Sequence, residues 1–169
     1  IEIKSIPATI NYHYPISGGF LKYITTMITT ADFLLKSYKY LNRDLIISGI
    51  ILHDIGKVKA LRFSTEGEYT DVGKLIGHNS LSLEILNEFV EDINIKEEIL
   101  LKLKHIILSH QYNSQNATYI EPQFSEALFI NLLSNLNVNM DLMHREMKND
   151  HNEDWTDPDN YFNRQLWKK

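Results

Sequence analysis

After Gly18-Gly19, the apolar residues Phe20, Leu21, Ile24, Met27, Ile28, Ala31, Leu34, Leu35 and Tyr38 return at steps of three and four. That spacing stacks them on one face of a helix, because a helical turn takes about 3.6 residues. A second helix is expected from Asn42, whose side chain can accept from a first-turn amide, with Asp44 in that turn. Leu45 to Leu52 are nearly all apolar, and a helix without a polar face belongs at the centre of a fold. It closes at His53-Asp54. A third pattern begins near His78 and runs through Leu81, Leu83, Ile85, Leu86, Phe89 and Val90. A fourth, with Asn94 as its expected cap, carries Ile99, Leu100, Leu103, Ile106 and Ile107 and ends at Ser109-His110. The last and longest is expected to start at a Ser125 cap and carries Ala127, Leu128, Leu132, Leu133, Leu136, Met140 and Met143.

The stretches between these patterns lack a sustained period. Residues 1–17, with Pro7 and Pro15, read as an extended lead-in. Residues 58–76 are punctuated by Gly67 and Gly73 and read as a loop with a brief extended piece at Glu68-Tyr69-Thr70. Residues 111–124 are rich in Asn, Gln, Ser and Thr and form another loop. The tail from Lys148 is polar, but Trp155, Tyr161, Phe162, Leu166 and Trp167 are expected to pin it to the body. The fold class is therefore all-α, a bundle of about six or more helices. Its expected organisation is a lead-in over 1–17, a helical domain over 18–147 and a packed aromatic tail over 148–169.

Composition narrows the chemistry. A chain of 169 residues with 43% hydrophobic content suits one domain with its own core. No apolar run reaches the roughly 18 residues of a membrane span, and no charged start followed by an apolar stretch marks a signal peptide. A cytoplasmic location without membrane contact is the expectation. With no cysteine, any metal must be held by His, Asp, Glu or other oxygen ligands. The net charge of −5 argues against a surface that grips nucleic acid by charge alone.

The chemistry concentrates in Ser48-Gly49-Ile50-Ile51-Leu52-His53-Asp54-Ile55-Gly56-Lys57. His53 and Asp54 offer a neutral nitrogen and an anionic oxygen, a mixture that suits a divalent metal. Lys57 follows Asp54 at i+3, beside it on a helical turn, where it could meet an anionic group such as a phosphate. His78 and His110 each fall at the edge of an expected helix, as His53-Asp54 does. Three helix ends converging there would gather a metal site, each imidazole needing a partner for its other nitrogen. His13, His105, His144 and His151 have no such context and are assigned to structure or solvent. No phosphate loop of the P-loop type and no nucleophile elbow is present.

These segments resemble the HD-domain metal-dependent phosphohydrolases, and within them the HD domain of YhaM-type 3′-to-5′ exoribonucleases. The resemblance runs from about His13 to the C-terminus. It takes in Gly18-Gly19-Phe20-Leu21, Leu41-Asn42-Arg43-Asp44-Leu45 and Leu52-His53-Asp54-Ile55-Gly56-Lys57. It continues through Gly73-Lys74-Leu75-Ile76-Gly77-His78, Ile106-Ile107-Leu108-Ser109-His110 and Asn163-Arg164-Gln165-Leu166-Trp167-Lys168. That family's separate OB-fold, which binds nucleic acid, is not in this sequence.

The resemblance implies a two-metal centre, and the chain departs from it. The first ligand histidine of the family falls at Tyr23, and the last ligand aspartate at Ser134, or at Asn137 if the register is read three residues on. A histidine that often follows the position of His110 is Gln111. The His-Asp pair matches at His53 and Asp54, and the two further ligand histidines at His78 and His110. One family site thus loses Tyr23 and Ser134 as good ligands, since a tyrosine hydroxyl is protonated at neutral pH. The other, Asp54 with His78 and His110, is complete, with Lys57 placed to stabilise charge on a phosphate. The implied cofactor is a divalent metal (Mn, Mg, Zn or Fe), as one ion or none. The expectation is a degenerate HD domain with weak or no hydrolase activity, acting as a scaffold for a protein or nucleic-acid partner. The alternative is a residual single-metal phosphodiesterase or exoribonuclease acting on single-stranded RNA or nucleotides.

Overall fold

The computed structural model describes residues 3–63, 67–111 and 120–169. Its helices are α1 (Gly19–Leu34), α2 (Arg43–Leu52), α3 (Lys57–Ala60), α4 (Asp71–Ile76), α5 (His78–Val90), α6 (Glu97–Ser109) and α7 (Ser125–Asn149). Two short strands, β1 (Leu61–Phe63) and β2 (Gly67–Tyr69), form an antiparallel pair with Leu61 opposite Tyr69. The result is the expected helical bundle.

Helix α2 is central, as its apolar run implied. Ile46 and Ile50 are fully buried, each contributing about 2–3 kcal/mol of apolar burial. Asn42 caps it by accepting from the Leu45 amide at 3.1 Å. Gly49 lets α6 and α7 close on it, for a Cβ there would lie 2.6 Å from Ile130 and 3.1 Å from Ile106. The α1 residues Phe20, Met27 and Ala31 join the same core. Two caps differ from expectation. Helix α6 starts after Lys96, not Asn94, because a tight turn from Ile93 to Ile95 first packs Ile95 against the core. Ser125 is the first residue of α7 rather than its cap, a place taken by Phe124.

Over 58–76 the described residues form short helices and strands rather than a loop. The β1–β2 pair includes Glu68 and Tyr69, and Thr70 opens α4 by accepting from Gly73 N at 3.0 Å while donating to Lys59 O at 2.8 Å. Gly56 brings the turn after α2 onto α5, where a Cβ would stand 2.0 Å from the His78 carbonyl oxygen. Its amide donates to Ser82 Oγ at 2.8 Å. These contacts join the His53-Asp54 turn to the start of α5, and so to His78.

Residues 3–17 make successive turns rather than an extended run. Thr9 Oγ1 accepts from the amides of Tyr12 and His13 and donates to His13 O. Tyr14 takes a left-handed φ of 43°, and its amide donates to Asp141 Oδ2 at 2.8 Å. Local side-chain bonds of this kind compete successfully with extended structure. The segment thereby lies against α1 and α7. In the tail, Thr156 and Leu166 clasp one another through two hydrogen bonds, and Tyr161 meets Tyr12 edge-on at 4.8 Å. Trp155 and Trp167 do not pin the tail to the body: both are at least half exposed, and their rings face one another at 6.4 Å. Of the loop expected over 111–124, residues 112–119 lie outside the described residues. Among the described residues, no helix is long and apolar enough to cross a membrane.

Candidate metal centre

His53 and His110 terminate α2 and α6, and His78 begins α5. Their helices bring the three imidazoles around the Asp54 carboxylate. His53, Asp54 and His110 are each at most 3% exposed. His53 Nδ1 donates to Ile50 O at 2.8 Å, and His110 Nδ1 donates to Ile107 O at 2.7 Å. A carbonyl can only accept, so each ring carries a proton on Nδ1 and turns Nε2 inward. Burial, the dominant influence, lowers the His53 pKa to about 3 even though Asp54 works to raise it.

The two Asp54 oxygens face different neighbours. Oδ1 lies 3.2 Å from His78 Nε2 and 3.4 Å from His110 Nε2. Oδ2 lies 2.7 Å from Lys57 Nζ and 3.5 Å from His53 Nε2. Burial works to raise the Asp54 pKa, but the Lys57 ammonium and the surrounding imidazoles outweigh it. The carboxyl is held well below the ordinary carboxylate range.

Among the described residues, Asp54 Oδ1 and His110 Nε2 are buried without a hydrogen-bond partner. The two atoms lie 3.4 Å apart, and a buried polar group left without a well-formed hydrogen bond costs about 1–3 kcal/mol. A cation held by these residues would remove that cost. His53, Asp54 and His110 present one ligand atom each, all within 4.8 Å of one another, near the span that ligand bonds of about 2.0–2.2 Å can bridge. The residues therefore fit a divalent ion. His78 stands at the rim: its Nε2 also meets the Gln111 carboxamide nitrogen at 3.1 Å, and its side chain is 23% exposed.

The Tyr23 side has a different character. The Tyr23 hydroxyl is 3.3 Å from His53 Nε2 and 2.7 Å from Ser134 Oγ. Since His53 Nε2 can only accept, Tyr23 donates to it and accepts from Ser134. Burial, with the Asp54 charge adding to it, pushes the Tyr23 pKa well up, so the hydroxyl keeps its proton. Ser134 rather than Asn137 faces this point, for Asn137 Nδ2 is turned back to Leu133 O at 2.9 Å. Lys57, expected to meet a substrate anion, is 5% exposed and committed to Asp54. On this side neutral hydrogen bonds and one ammonium do the work of a cation.

The cluster opens into a cleft of about 510 Å³ whose walls include Asp54, Lys57, His78, His110, His13 and Tyr161. His13, assigned from sequence to structure or solvent, is 5% exposed, lines this cleft and lies 4.9 Å from the Tyr23 ring. Burial lowers its pKa to about 3, the nearby Lys57 charge adding to the effect. The clue in the sequence was the Tyr12-His13-Tyr14 run, which sets aromatic rings on both sides of the imidazole. No periodicity connects it to the distant helix ends.

In this helical bundle the inner helix ends surround one buried carboxylate with three imidazoles, a donor set that could hold a metal ion. The model of the HD domain family matches residues 23–139, and the chain belongs to that family. It is 33% identical over 147 residues to the 3′-5′ exoribonuclease YhaM of Bacillus subtilis (strain 168), an alignment covering 87% of this chain and 47% of that protein. The namesake from Oceanobacillus iheyensis is 31% identical over 147 residues, covering 87% and 46%. The chain thus spans about half the length of the curated relatives it matches. No solved structure matches it.

Proposed function

We propose that this domain binds a single divalent ion and is a weak phosphodiesterase or exoribonuclease acting on single-stranded RNA or nucleotides. The observation that carries the reading is the pair of buried atoms, Asp54 Oδ1 and His110 Nε2, that lack a hydrogen bond among the described residues and line an open cleft. When bound, the ion would supply positive charge to a phosphoryl oxygen and acidity to a water. Asp54 and His110 would hold it, with His53 and His78 adjoining. Lys57 fixes Asp54 Oδ2 and so aims Oδ1 at the site. The Nδ1 bonds to Ile50 and Ile107 hold the two imidazoles in the ligating tautomer. With one ion there is no symmetric clamp on attacking and leaving oxygens, and each 1.4 kcal/mol lost from that clamp slows the reaction about tenfold.

The test is manganese stoichiometry of the purified protein, paired with cleavage of a short single-stranded RNA. One ion per chain and slow cleavage that Asp54→Ala abolishes is the expected result. No bound metal, or cleavage indifferent to Asp54→Ala, ends this reading. A second reading, a catalytically silent scaffold for a protein or nucleic-acid partner, draws support from the Tyr23, Ser134 and Lys57 contacts that replace a cation on one side. Under it, Tyr23→His with Ser134→Asp creates activity that the natural sequence lacks.

A further inference from the structure

The cleft is larger than an ion and a phosphate require, and its second wall has a different chemistry. At about 510 Å³ it falls in the range of small-molecule sites, roughly 300–1,000 Å³. From Asp54 the contacts run through His53 to Tyr23, from Tyr23 to His13 at 4.9 Å, and on to Tyr12. Tyr12 meets Tyr161 of the tail edge-on, at 4.8 Å and 86°. Both tyrosines line the cleft and are half-buried. An edge-to-face pair leaves ring surface uncovered, and half-burial leaves it reachable.

Asn135 and Asn139 also line the cleft, one turn apart on α7. Their carboxamide nitrogens are spent within the helix, on Asn131 Oδ1 and Asn135 O. Among the described residues their carboxamide oxygens have no donor, so they can accept from one. The wall is rigidly mounted: Thr9 ties the Tyr12 turn, Arg145 Nη1 donates to Tyr12 O, and the Thr156–Leu166 clasp sets the tail.

We propose that Tyr12 and Tyr161 form a stacking subsite for a nucleobase, with Asn135 and Asn139 at its polar edge, so that the ligand is a nucleotide and not a bare phosphoester. The assignment rests on the reading of the Asp54 end as the phosphate-facing end. A chain of net charge −5 has little general attraction for a polyanion. Stacking is the non-ionic contact that compensates, and it tolerates any base because every base has a π-face.

The experiment measures equilibrium binding of adenosine 5′-monophosphate and of inorganic phosphate, each with and without Mn²⁺. It uses the wild type, Tyr161→Leu and Tyr161→Phe. Leucine keeps apolar bulk under the tail but removes the ring, whereas phenylalanine keeps the ring. The expected result is that the nucleotide binds more tightly than phosphate and that Tyr161→Leu erases about tenfold of that preference. Tyr161→Phe keeps it, and phosphate binding is the same in all three. The proposal is overturned if the wild type shows no preference for the nucleotide, or if Tyr161→Leu retains it. Failure of the metal reading looks different: Mn²⁺ then changes neither affinity, while the nucleotide preference and its loss in Tyr161→Leu persist.

Discussion

Replacing Lys57 by methionine isolates the role of the buried ion pair. Lys57 Nζ and Asp54 Oδ2 are 2.7 Å apart, with side chains only 6% and 4% exposed. Methionine fills a similar unbranched volume without the charge. Removing one partner of a buried pair leaves the other charge uncompensated, at a cost of about 3–5 kcal/mol. For a chain of this size each kcal/mol shifts the melting temperature by roughly 2–4 °C, so a fall of about 6–20 °C is expected in EDTA. Manganese then acts as the missing cation. At 100 times its dissociation constant it adds about 2.7 kcal/mol to any state that binds it natively, and the gain is larger in Lys57→Met than in the wild type. Thermal unfolding followed by circular dichroism in EDTA and in manganese measures both quantities. A loss below about 1 kcal/mol in EDTA, or equal manganese gains in the two proteins, refutes the claim that Lys57 stands in for a cation beside Asp54.

Acid should weaken the fold well above the carboxylate range. His13 and His53 have native pKa values lowered to about 3 from 6.5, so below pH 6.5 the unfolded chain takes up protons that the native state refuses. Their contribution is complete above pH 6.5 and drains away as pH falls toward 3, by about 2 kcal/mol for each at pH 5. A urea midpoint unchanged between pH 7 and pH 5 contradicts the buried neutral state of these rings. Tyr23→Phe removes the hydroxyl that bridges His53 and Ser134 and should cost about 1–3 kcal/mol. In a double-mutant cycle with Ser134→Ala, a coupling energy of at least about 0.5 kcal/mol is expected, and strict additivity rules the bridge out.

The sequence by itself determined the helices and their order. The three-four periodicity of α1, the all-apolar run of α2 and the Asn42 cap are local signals, and the helices they imply are present. It also placed His53, Asp54, His78 and His110 at helix ends, because those ends follow from the same periodicity. Short elements were less legible. The β1–β2 pair and helices α3 and α4 are stabilised by Thr70 bonding and by the close approach at Gly56, contacts that no run of apolar spacing encodes. Only the tertiary structure decided how the site is wired. It set Tyr23 and Ser134 to share one hydrogen bond from opposite ends of the chain, and among the described residues it left Asp54 Oδ1 and His110 Nε2 without a hydrogen bond. It also carried His13 into the cleft wall and Tyr161 against Tyr12. These pairings join residues far apart in sequence, and their register depends on packing among α1, α2 and α7 rather than on any local pattern.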